Sequence, residues 1–283
     1  MKKRQVAKSD FTFAQLPHTR REVFFDCLKL RFGTIVLCGL MLLLFALPLL
    51  SVYAVRDVVL LSVYRSLADG AVGEAQAALY AGQMHFYASL AAVAGWSVFS
   101  VGLAGVSRVI RQLIWGEPIF FRTDFRKGVR QSAGTYAAVA AVSSGVWCLY
   151  ALCDAFFTVP APVACLPLGI LLFALIPVAL YMLSQSTVYR VGFARSAANG
   201  LAFYLRNIWQ SLLFTLLAAA VCLFGLLPFT VAKYLGVALL IMLAVPLFWM
   251  AWLLYSNRVF DVFINRDSFP EYFDKGVYRM DSK

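Results

Sequence analysis

The sequence predicts an all-α, polytopic membrane protein of about six transmembrane helices, with both termini on the cytoplasmic side. Three observations carry this. The 283 residues are 62% hydrophobic and only 14% charged, with a mean hydropathy of +0.78. A soluble domain has roughly 45–50% apolar and about 25% charged residues, so much of this apolar surface needs a solvent other than water. Second, the apolar residues fall in runs of about 20, the length a helix needs to cross a hydrocarbon core of about 30 Å. Third, the cations alternate between gaps. Eight Lys and Arg lie in residues 1–32, six in 108–132, three in 186–210 and five beyond 257, whereas only Arg56, Arg65 and Lys233 fall in the remaining gaps. Short loops rich in Lys and Arg stay on the cytoplasmic side. That asymmetry sets both termini inside.

Residues 1–32 read as a basic cytoplasmic tail. Thr19 and Glu22 have capping-box spacing, which predicts a helix start at Thr19. Val23, Phe24, Cys27, Leu28 and Leu30 give that helix an apolar side, as expected at a membrane interface. The membrane domain covers 33–256. Span 1 is 33–53, with Pro48 near its outer end. It reads as a retained span, because it lacks a small-residue cleavage site. Residues 56–85 read as an outer segment with some helix, including an interfacial stretch that ends near Asp69-Gly70. Span 2 is 86–107. Its Ala91/Gly95 and Ser100/Ala104 pairs have small-xxx-small spacing, which permits close helix approach.

The longest polar interruption follows, Arg108–Ser132, read as an amphipathic helix on the inner leaflet. Span 3 is 133–157 and opens on small residues that predict central packing. A short turn leads to span 4, 163–185, where Pro167 and Pro177 predict a bend accommodated by neighbours. Span 5 is 211–230 and span 6 is 234–255. Residues 257–283 form a charged cytoplasmic tail. A short likeness between Lys127–Ser132 and Arg206–Ser211 is best explained as chance between juxtamembrane segments.

The formal charge of +11 does not indicate nucleic acid, because the cations lie between spans and not along one soluble face. They suit an anionic inner leaflet. No metal or cofactor motif is legible. There is no phosphate loop, H-E-x-x-H or G-x-S-x-G. The two histidines, His18 and His85, fall on opposite sides. The six cysteines form no C-x-x-C pair, so they read as small apolar residues, with Cys153 and Cys165 bracketing an outer turn. The expectation is therefore a protein that is not an enzyme and holds no cofactor.

Two features remain as candidates. Asp154 is the lone carboxylate within a span, the usual marker of proton or ion handling. Its place near the outer edge weakens that role. The central polar stretch offers Arg111, Trp115, Glu117, Phe121, Arg122, Asp124, Arg126 and Lys127 as candidate partner-docking residues. For Glu117 the simpler reading is a pair with a nearby arginine that shapes the turn before Pro118.

Trp115–Gly128, which contains WGEPIFF, DF and Gly128, resembles the loop of the YesL-like family of bacterial integral membrane proteins. So do Phe24–Leu30, Leu47-Pro48 and the tail Asn257–Arg279. The outer segment 56–85 departs from the tight turn expected between the first two spans. The family has no assigned activity. The resemblance implies residence in the bacterial cell membrane and an accessory role linked to carbohydrate uptake. The expected partners are the lipid bilayer and either a transporter subunit or further copies of the chain. The alternative is a small-solute transporter or channel in its own right.

Overall fold

A computed structural model describes residues 16–157, 160–220 and 230–278. These residues form eight helices and, among them, no strand. They are α1 (Arg20–Leu30), α2 (Phe32–Ala68), α3 (Glu74–Ile114), α4 (Phe121–Phe156), α5 (Pro162–Val188), α6 (Phe193–Arg206), α7 (Ile208–Ala220) and α8 (Val231–Ser268). Helices α2, α3, α4, α5 and α8 are each long and apolar enough to cross a membrane. Helix α7 begins the predicted fifth span, whose continuation over 221–229 lies outside the described residues. The chain is thus an all-α, multi-pass membrane protein.

Its surface shows why lipid is the solvent. Along α2, Ile35, Cys38, Leu42, Ala46 and Leu49 are buried, while Leu40, Leu44 and Leu47 are about half exposed. Both faces are apolar, so the helix has no water-facing side. Lipid tails are as apolar as leucine, so packing between spans rests on shape and on buried hydrogen bonds.

Helix α3 is central, packed along α2 on one side and α4 on the other. Its buried stripe is Ala88, Ala92, Gly95, Gly102 and Ala104. Ala91, expected in that stripe, is exposed. Helix α4 does not pack centrally as its small residues suggested. It buries one stripe, Ser132, Tyr136, Val139, Ser144, Cys148 and Ala151. Gly134 and Gly145 face open space.

The prolines are accommodated as predicted, by a specific device. Pro177 has no N–H, so the carbonyl four residues earlier, Phe173, loses its helical donor. A π-helical turn over Leu171–Leu175 absorbs the ring. The freed Phe173 carbonyl accepts the Tyr204 hydroxyl of α6 at 2.5 Å. In α8, Pro246 likewise follows a π turn, Leu240–Ala244. The Met242 carbonyl, four residues before Pro246, faces Gly39 of α2. A Cβ on Gly39 would lie 1.7 Å from that oxygen, so glycine is required there.

Helices α2 and α3 extend past the predicted spans. Thirty-seven residues make α2 roughly 55 Å long at about 1.5 Å per residue. Segment 56–85 is therefore mostly two helix extensions joined by a turn at Asp69–Gly73, not a separate interfacial piece. Gly70 has φ +70° in that turn. The opposite polar stretch is corrected in the same way. Arg108–Ser132 is the end of α3 and the start of α4, with a connection of only Trp115–Phe120.

Candidate functional site at the basic end

The positively charged segments converge at one end of the bundle. Helix α1 starts where expected, with Thr19 Oγ1 accepting the Glu22 amide at 3.2 Å. Glu22 in turn accepts the His18 amide at 2.7 Å, and this bond holds the carboxyl below its ordinary range. The apolar side of α1 packs on the bundle through Val23 and Cys27. Cys27 Sγ donates to the Leu113 carbonyl at the end of α3. Burial pushes that thiol up to about 11.

The C-terminal segment does not trail away. After a π turn at Asp261–Asn265 it folds back beneath the helices. Arg20 pairs with Asp261 and lies 3.8 Å from Asp274. The buried Tyr189 hydroxyl donates to Asn265. Burial first, and the Asp261 charge next, raise the Tyr189 phenol, so it remains a donor. Tyr272 stacks on Trp115 with ring centroids 5.5 Å apart. Lys275 lies 4.7 Å above the same indole and pairs with Glu117 at 2.9 Å. The Tyr278 amide donates to the Pro17 carbonyl at 3.0 Å, so the two terminal segments touch. Gly276 has φ +85°, and an added Cβ would lie 2.1 Å from the Ile114 carbonyl.

Beneath this clamp is a buried polar layer. The Tyr136 hydroxyl lies 2.8 Å from Ser107 Oγ, 2.9 Å from Thr187 Oγ1 and 3.2 Å from the Leu183 carbonyl. Trp252 Nε1 donates to Ser184 Oγ at 2.7 Å. Gln185 donates to the Ser196 carbonyl at 3.3 Å and accepts from Asn199 at 3.2 Å. The SQST run of α5, Ser184–Thr187, is thus a hub between helices. Each unpaired polar group would be costly in this apolar setting, and here the bonds tie α3, α4, α5, α6 and α8 together.

The eight expected docking residues separate into two groups. Arg111 is buried. Its Nη1 donates to the Thr187 carbonyl at 2.8 Å and its guanidinium lies 4.7 Å over Trp115. Trp115 is buried beneath Tyr272 and Lys275. Asp124 is 4% exposed and accepts the Phe120 amide at 2.8 Å, which fixes the start of α4. Glu117 pairs with Lys275 rather than with an arginine. Phe121 stacks on Phe125, whose ring also packs against Phe45. These five residues hold the fold and present no continuous docking surface. Arg122, Arg126 and Lys127 are exposed on α4. With Arg130 they form a ridge at helical spacing, and among the described residues none has an acidic partner.

The ridge borders a cavity of about 670 Å³ between the ends of α3, α4 and α5. Arg108, Lys127, Arg130 and Arg190 line it, with Gln131, Thr135 and Ser186. Sequence reading placed the cations inside but could not bring Arg190 to Arg108. A basic residue just past a span that carries a polar SQST run was the one available signal.

Asp154 lies apart from this site, exposed at the other end of α4 and within electrostatic reach of His85. That end has its own polar node, which sequence reading missed. Asp57 pairs with Arg56 at 2.7 Å and with Lys233, and accepts the Tyr234 hydroxyl at 3.0 Å. Cys153 and Cys165 are free thiols. Among the described residues no three His, Cys, Asp or Glu side chains gather as metal ligands would.

No family model matches the chain, and neither curated proteins nor solved structures include a significant match.

Proposed function

We propose that the chain is a non-enzymatic accessory or scaffold protein of the bacterial cell membrane, which docks an acidic partner at its cytoplasmic face. One observation carries this reading. Arg122, Arg126, Lys127 and Arg130 are exposed on the start of α4 and, among the described residues, none has an acidic ion-pair partner, while the adjoining connection is held by Tyr272 on Trp115 and Lys275 on Glu117. A cationic face held in one geometry steers and orients an acidic partner. The hydroxyl and amide groups of the Ser184–Thr187 hub are engaged between helices, which supports a scaffold over a transporter in its own right. The likeness of Trp115–Gly128 to the YesL-like family supports a link to carbohydrate uptake, with a transporter subunit as the partner.

The test is affinity purification from crosslinked native membranes, comparing the natural chain with R122A/R126A. Both residues are exposed, so the fold should persist. Loss of a recurrent co-purifying membrane component in the variant is the expected result. Unchanged recovery, or a homo-oligomer with no other component, would overturn the docking reading.

A further inference from the structure

We propose that the cavity between α3, α4 and α5 is a binding site for a phosphate-bearing anion, presented at the depth of the lipid headgroups. Four cations, Arg108, Lys127, Arg130 and Arg190, line it, and no carboxylate does. Among the described residues none of the four takes part in an ion pair. That is unusual economy for a chain with 14 acidic residues, because the basic end does use carboxylates elsewhere. Asp261 neutralises Arg20, and Glu117 neutralises Lys275. Like charges held around one hollow repel, and a bound anion relieves the repulsion.

The cavity is also shaped. Arg108 is not a loose surface cation. Its Nη1 donates to Gln131 Oε1 at 2.8 Å, which fixes the guanidinium against α4. Its Nε is buried with no hydrogen-bond partner among the described residues. An arginine fork held in place offers N–H donors that match the several acceptor oxygens of a phosphate. Thr135 adds a hydroxyl to the wall. The ion-lined volume, about 670 Å³, exceeds what one phosphate needs and leaves room for the group that carries it. Its position at the ends of three membrane-crossing helices puts the cations where phosphodiester headgroups lie. A lipid headgroup and a free phosphate compound share this chemistry.

This site shares Lys127 and Arg130 with the docking ridge, but Arg108 and Arg190 belong to the cavity alone. Arg122 and Arg126 stand on the same helix but do not line the cavity. They give an equal-charge control. The purified chain would be placed in phosphatidylcholine nanodiscs and titrated with inorganic phosphate and pyrophosphate. In parallel, discs containing phosphatidylglycerol would be analysed for retained lipid by native mass spectrometry. K127Q/R130Q alters two exposed side chains and should weaken binding about thirtyfold, given the usual contribution of a cation at a membrane surface. R122Q/R126Q should leave it unchanged, and R130K should retain it. Retention of phosphatidylglycerol alone assigns the lipid headgroup. Saturable binding of phosphate or pyrophosphate alone assigns a soluble anion. Absence of both, or equal weakening by the control pair, would overturn the site.

Discussion

The two ends of the bundle are built on different principles. At the basic end, segments far apart in sequence lock one another. Arg20 reaches Asp261 across 241 positions, and the C-terminal segment wedges Tyr272, Lys275 and Gly276 against the connection between α3 and α4. At the opposite end, α2 and α3 run on together as a helical hairpin. Beyond the Asp57 node at its base, the side-chain hydrogen bonds along it are local, Ser62 to Val59, Ser66 to Ser62 and Gln76 to Tyr80. Val58, Leu61 and Tyr64 are about half exposed or more. A region with few long-range contacts opens by local fluctuation, whereas a cross-linked one opens only with its neighbours. The basic end is therefore the rigid platform and the hairpin is the part free to yield.

The largest way to break this contrast is G276A. The new Cβ meets the Ile114 carbonyl, and φ +85° is unfavourable for alanine. A cost of about 2–4 kcal/mol is expected, which displaces the tail from Trp115. Cys27 reports the effect. In the natural chain its buried, neutral thiol should resist maleimide at neutral pH while exposed Cys165 reacts. In G276A, Cys27 should become reactive. Continued resistance would mean that the tail does not hold α1 and α3 in place.

A smaller loss is expected at the hairpin base from D57N. The change removes the anion that Arg56 and Lys233 share, at about 1–2 kcal/mol for a partly exposed group. Hydrogen exchange should quicken in the hairpin and around Lys233 but not at Trp115–Phe120. Faster exchange at both ends would show that the two are coupled and dissolve the contrast.

The smallest effect is pH-dependent. The Glu22 carboxyl is held low in the folded state, so the helix-start contribution is present above its unfolded pKa and is lost as pH falls through the lowered folded value. Amide resonances of His18 and Glu22 should shift together on acidification, without change at Tyr136. No shift in E22Q under the same conditions would assign the effect to this group. A titration unchanged by E22Q would remove Glu22 from the account.

Much of the candidate site was hidden for a physical reason. Arg111, Trp115 and Asp124 read as loop residues because hydropathy scores each segment by itself. Their burial depends on what folds against them, as the tail more than a hundred residues later does at Trp115 and the end of α5 does at Arg111. The ridge at Arg122 and Arg126 was legible because helical spacing is local. The cavity was not, because it needs Arg190 brought beside Arg108.

The sequence by itself determined the membrane class, the alternation of charged gaps, the start of α1 at Thr19 and the bend at Pro177. Each follows from local rules of hydropathy, capping and missing amide hydrogens. The tertiary structure alone decided that the polar interruption is two helix ends under a folded tail, that the outer segment is a hairpin and that unpaired cations share one hollow. These depend on which helices become neighbours. That choice is made by close approach, as at Gly39 against Met242, and by buried hydrogen bonds such as Tyr136 to Ser107, which no one-dimensional pattern records.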